Sequence, residues 1–257
     1  LIHATTQPTP RVSTGIDGKH HPIGTGRSGS PKGLAEQNRR SKGSAENRLH
    51  IITMNCKYGL KDAPTKDLLI HQVSKIKYDV IGLCETRGKA ESRTKWTQSG
   101  DELIIGEGSG QQRVGGVGFI INRRITNRDI EVQIHSHRVA TLKLDMGKKE
   151  PLLIVQIYAP HKDYGMDEIE KFYSEVETHL DQPAYQKIVM GDFNAQLGPK
   201  SAYHKYLGKF TNGTWDKNEH GEMLADFADA NKLYVMNTFF QKHPDKRWTF
   251  QSTNAAK

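Results

Sequence analysis

The sequence predicts an α/β (α+β) fold in which two β-sheets stack as a sandwich with helices outside. Three observations lead there. Short apolar runs of strand length recur along most of the chain. Only three stretches carry helical periodicity, too few to alternate regularly with the strands, which argues against a regular βαβ repeat and suits a two-sheet sandwich. The 257 residues are enough to bury the core of one large domain.

Residues 1–48 are rich in Gly, Ser, Pro and basic side chains and lack apolar periodicity, which predicts a disordered basic segment. It has no h-region, so it is no secretory signal. The folded domain is expected over 49–257. Residues 49–54 read as the first strand. Thr65 is the expected N-cap of a helix with Asp67 in its first turn. Leu68, Leu69, Val73 and Ile76 mark that helix's apolar face. Residues 79–84 form a near-continuous apolar run, a second buried strand. Strands follow at 102–105, 115–121, 138–144 and 152–158. Ile169, Phe172, Tyr173, Val176 and Leu180 recur with the spacing of one helical face. A strand over 187–190 leads into a polar loop, 197–218. A short helix over 219–231 should bury Met223, Leu224 and Phe227. Strands at 233–236 and 247–251 complete the pattern.

Composition narrows the function. No apolar stretch approaches the ~20 residues needed to span a bilayer, so no membrane partner is expected. Two cysteines, Cys56 and Cys84, make neither a disulfide framework nor a zinc site and fit a reducing, intracellular compartment. The net charge is +8, but residues 1–50 hold eight Lys/Arg against three Asp/Glu, leaving only +3 for the rest. Binding of nucleic acid therefore needs a local basic patch, helped by salt-sensitive attraction from the tail.

Chemistry concentrates at strand ends. Gly191-Asp192-Phe193-Asn194 follows the apolar run Ile188-Val189-Met190. Residues two apart on a strand share a side, so Asp192 and Asn194 are expected to face one substrate group. Gly191 permits close backbone approach. The same residue types also close strands as Asx-turns. Three other strands end on polar side chains: Asn55, Glu85, and Tyr158 within Tyr158-Ala159-Pro160. Strands of stacked sheets that end on one side gather these groups around one cleft.

The order Asn55, Cys84-Glu85-Thr86, Tyr158-Ala159-Pro160, Gly191-Asp192-Phe193-Asn194 resembles the endonuclease/exonuclease/phosphatase superfamily, with its DNase I-like fold. Three further stretches resemble, within it, the endonuclease domain of LINE-type (non-LTR) retrotransposons and craniofacial development protein-like sequences. They are Gly115-Gly116-Val117-Gly118-Phe119, Asn218-Glu219-His220-Gly221-Glu222-Met223-Leu224 and Trp248-Thr249-Phe250.

The resemblance implies a four-layer α/β/β/α sandwich. Glu85 would bind a divalent metal, Mg²⁺ with Mn²⁺ as the alternative, and Asn55 would support that shell. Asp192 would activate water, Asn194 would hold the phosphate and Tyr158 would stabilise the developing anion or protonate the leaving side. The implied partner is DNA, the implied place the nucleus, and a reverse transcriptase domain would share the full polypeptide. Other members imply other functions: apurinic-site repair, hydrolysis of lipid or inositol phosphates, or DNA or partner binding without cutting. The family's pattern continues into an Asp and a Ser-Asp-His segment absent from this sequence, and His204, His220 and His243 lack that context. The expectation is a C-terminally incomplete domain, lacking its last strands and poorly active alone.

Overall fold

A computed structural model describes residues 4–5, 48–57, 59–110 and 114–243. The expected strand at 247–251, with Trp248-Thr249-Phe250, lies outside them, as does most of the expected disordered segment. Within that segment Ala4–Thr5 is described as a two-residue strand, β1.

Two βαβ units organise the remainder, one in each sheet. In the first, β2 (Ile51–Asn55) and β3 (Val80–Cys84) pair in parallel around α1 (Ala63–Val73). Antiparallel neighbours β6 (Val117–Ile121), β5 (Glu102–Ile105) and β4 (Ser92–Lys95) extend this sheet in the order β2-β3-β6-β5-β4. In the second unit, β9 (Leu152–Tyr158) and β10 (Gln186–Asp192) pair in parallel around α2 (Met166–Leu180). With β7 (Ile130–Ile134), β8 (Val139–Leu144) and β11 (Tyr234–Val235) the order is β11-β1-β10-β9-β8-β7.

Strand parity sets the layers. In β9, Leu153, Val155 and Ile157 face the helices, where they meet Phe172, Val176 and Leu180 of α2 and Leu224 and Phe227 of α3 (Glu219–Ala230). Burying each of these α2 side chains contributes about 1.5–3 kcal/mol. In β3, Ile81 and Leu83 face Leu69 and Val73 of α1. The opposite parities of β3 and β9 meet at the seam between the sheets. There Gln156 Nε2 donates to Thr53 Oγ1 (3.3 Å) and reaches Cys84 Sγ (2.9 Å). The four layers are therefore α/β/β/α, as expected.

Some local expectations change. The α1 cap is Asp62, three residues before Thr65. The Asp62 carboxylate accepts from the Thr65 amide (2.9 Å) while the Thr65 hydroxyl accepts from the Asp62 amide (3.4 Å). Thr65 is thus the other half of a capping box. Leu68 and Ile76 are exposed, so only Leu69 and Val73 of the expected face are buried. Of the residues expected beneath α3, Leu224 and Phe227 are buried and Met223 is partly so. Asn218 caps α3 by accepting from the Gly221 amide (3.1 Å). Its own amide donates to the Gln196 and Thr214 carbonyls (both 2.7 Å), tying the long loop to the helix start. Asn218, which opens the Asn218–Leu224 motif, thus has a capping and loop-tethering role.

Candidate active site

Register brings the polar strand ends together. Asn55 pairs with Cys84 in one sheet, so Glu85 leaves the neighbouring strand just beyond it. Tyr158 pairs with Asp192 in the other. Asn55 has the parity of Thr53, and Tyr158 that of Gln156, so both face the seam.

Asn55 joins the two sheets chemically. Its Nδ2 donates to Glu85 Oε1 (2.8 Å) and to Asp192 Oδ2 (3.1 Å), while its Oδ1 accepts from the Lys57 amide (2.8 Å). This orientation is forced, because ionised carboxylates only accept and a backbone N–H only donates. Glu85 and Asp192 thus converge through one amide group, and the Asn55 oxygen is turned toward Lys57.

Asn194 reaches the site by a different route from strand alternation. β10 ends at Asp192, and Asn194 adopts φ +47° beyond it. Its amide N–H donates to Asp192 Oδ1 (3.1 Å), an Asx-turn, and its Nδ2 donates to the Ala159 carbonyl (2.7 Å). Asn194 therefore braces the Asp192 turn against the chain after Tyr158. Gly191, at φ +141°, serves the close approach expected of it: a Cβ there would lie 1.9 Å from the Ile157 carbonyl oxygen.

Glu85 is aimed by unusual backbone. Glu85 (φ +54°) and Arg87 (φ +49°) are both left-handed, a conformation costing non-glycine residues of order 1–3 kcal/mol each. The turn is buttressed by the diglycine: Thr86 N donates to Gly116 O and Arg87 N to Gly115 O (both 3.0 Å). Gly116 N donates in turn to His137 O (2.8 Å), across to the other sheet's hairpin. Gly116 has φ +82°, and a Cβ there would meet Thr86 Oγ1 at 2.4 Å.

The Tyr158 phenol is buried. Burial, then the charges of Glu85 and Asp192, push its pKa up to about 12, against the opposing pull of Arg138 and Arg87. It keeps its proton at neutral pH and is a hydrogen-bond donor there.

Two arginines that sequence reasoning passed over complete the site. Arg87 Nη2 donates to Glu85 Oε2 (2.8 Å). Arg138 is buried, donates through Nη1 to the Tyr158 carbonyl (3.3 Å), and lies 5.8 Å from the Tyr158 ring centre and 5.0 Å from that of Tyr164. An arginine two residues after a glutamate, or one starting a buried strand, carries no sequence signal of its own.

The side chains present suit a hard cation. Among the described residues no group of three or more His, Cys, Asp or Glu forms a ready ligand cage. Mg²⁺ needs no such cage, since it keeps several waters and takes one or two carboxylates. Glu85 and Asp192 are two such carboxylates, and the Asn55 N–H group between them occupies the place of positive charge.

These features define a class. The chain belongs to the Endonuclease/Exonuclease/phosphatase family, whose model matches residues 52–233. It is similar to craniofacial development protein 2 of Tragulus javanicus, at 27% identity over 250 residues, covering 94% of this chain and 41% of that protein. It is also similar to craniofacial development protein 2 of Bos taurus, at 28% identity over 193 residues, covering 72% of this chain and 31% of that protein. The chain thus spans less than half the length of these curated relatives. Among solved structures it is similar to the AP endonuclease LMAP from Leishmania major (TM-score 0.49, 15% identity, 71% of this chain and 66% of that one). It is similar too to the endonuclease domain of TRAS1, a telomere-specific non-LTR retrotransposon (TM-score 0.44, 12% identity, 72% of this chain and 71% of that one).

Proposed function

We propose that this chain hydrolyses phosphodiester bonds in DNA as a Mg²⁺-dependent endonuclease of the retroelement type. The observation that carries this reading is the convergence of Glu85 and Asp192, from different sheets, on the Asn55 amide. Glu85 and Asp192 would hold the cation, with Asn55 setting their spacing, and the cation would supply charge neutralisation at the phosphate. Asp192 orients a water and accepts its proton. Tyr158 donates a hydrogen bond to the oxygen on which negative charge develops. Asn194 fixes the Asp192 turn and steadies the wall that carries Tyr158.

The test is nicking of supercoiled plasmid with Mg²⁺ or with chelator. Asp192→Ala and Glu85→Gln should each lower the rate by about 10³-fold or more while leaving the circular dichroism spectrum unchanged. Cleavage restricted to an abasic duplex would move the function to repair. Turnover of an inositol phosphate with intact plasmid would overturn the nuclease reading, and plasmid binding without cutting would make the chain a binding module.

A further inference from the structure

The carboxylate oxygens of the site all have donors. Glu85 Oε1 and Asp192 Oδ2 share Asn55 Nδ2, and Asp192 Oδ1 accepts from the Asn194 amide. Glu85 Oε2 accepts from Arg87 Nη2. Of these donors Arg87 alone is charged. Its stem lies over Gly59, where a Cβ would come within 2.8 Å of Arg87 Cβ, and its backbone is pinned by the Gly115 carbonyl. The guanidinium is only half used. Nη2 meets Glu85, but Nε on the same edge is buried with no acceptor among the described residues. That edge is a two-pronged donor suited to two oxygens of one phosphate, whereas here it meets one carboxylate oxygen.

We propose that Arg87 exchanges partners: it holds Glu85 when no divalent cation is present and turns to the non-bridging oxygens of the phosphodiester when a cation takes Glu85. The two positive charges compete for the same oxygen, and repulsion between them favours release of the guanidinium. A phosphate offers the released fork both of the acceptors it lacks. Cation and phosphodiester therefore bind with positive coupling, which is reciprocal by linkage. This rests on the phosphodiesterase reading of the same site and adds to it a residue that contacts substrate.

The test reads binding and not turnover. Mn²⁺ affinity is measured from the electron paramagnetic resonance of the free ion, with and without dimethyl phosphate, and phosphate binding from ³¹P line broadening. Arg87→Gln should bind Mn²⁺ alone about tenfold more tightly than wild type, since a competing charge is gone. Dimethyl phosphate should tighten Mn²⁺ binding by wild type about fivefold or more, and this gain should vanish in Arg87→Gln. Arg87→Lys, which keeps the charge but not the fork, should match wild type for Mn²⁺ alone and lose most of the gain. Unchanged or weaker Mn²⁺ binding by Arg87→Gln, or an undiminished gain, would overturn the exchange. A wild type that shows the coupling but nicks no plasmid would leave the exchange standing and remove the nuclease reading. A wild type that takes up no Mn²⁺ would remove both.

Discussion

Asn55 shows how much one neutral side chain can organise. A carboxamide between two carboxylates relieves their repulsion without adding charge, and its oxygen is anchored at Lys57 so that the nitrogen cannot turn away. Tyr158 depends on the same neighbours. Removing its hydroxyl in Tyr158→Phe should slow nicking by about 10–100-fold, measured on supercoiled plasmid at saturating Mg²⁺. Because its pKa is raised to about 12, the phenol stays protonated through neutral and moderately alkaline pH. The wild-type pH–rate profile should therefore show no descending limb from this group between pH 6 and pH 10. The acidic and aromatic members of the site were legible because apolar runs ended on them. Arg87 was not, because nothing in a Glu-Thr-Arg tripeptide reveals two left-handed residues flanking a buried threonine.

Elements were legible where one face dominated. The α2 periodicity and the wholly buried β9 were plain in the sequence. β4 escaped because its Ser-Arg-Thr-Lys sequence is an edge strand with no apolar run. β7 carried a period-2 signal in Ile130, Val132 and Ile134 that richer neighbours masked. The starts of β2 and β3 are locked by Asp79, which accepts from the His50 amide (2.7 Å) and pairs with Arg124. Burial pushes the Asp79 carboxyl up, but the Arg124 guanidinium and the His50 amide more than offset this and hold it below its ordinary value. Its contribution is thus complete above the unfolded carboxyl pKa and is lost as pH falls through the lower folded value. Asp79→Asn should cost about 2 kcal/mol in urea denaturation at pH 7 and flatten the fall in stability below about pH 4. In the 197–218 loop Lys200, Lys205, Lys209 and Lys217 are exposed, and so is Tyr203, at 88%. On the proposed function these exposed lysines would supply positive charge toward the DNA backbone. Lys205→Glu with Lys209→Glu should weaken duplex binding and reduce the slope of log affinity against log salt by about 2, read by fluorescence anisotropy.

At the scale of the molecule, the site exists only where two sheets meet. Asn55 and Glu85 belong to one, Tyr158 and Asp192 to the other, and the seam between them is filled closely. Gly82 leaves the space that Gln156 and Met190 occupy, and a Cβ there would come within 2.6 Å of the Met190 methyl. Gly82→Ala should cost about 1–3 kcal/mol of stability and lower nicking as well, whereas Asp192→Ala should lower nicking alone; thermal melts run beside plasmid assays separate the two. The strand ends and their gathering at one cleft were legible in the sequence, but the Asn55 bridge between Glu85 and Asp192 was not, since it depends on how the sheets dock. A chain still emerging from synthesis, or loosened by heat, would have Asn55 and Glu85 in one half and Tyr158 and Asp192 in the other. On the proposed function, whatever these four side chains do together waits on the docking of the two sheets.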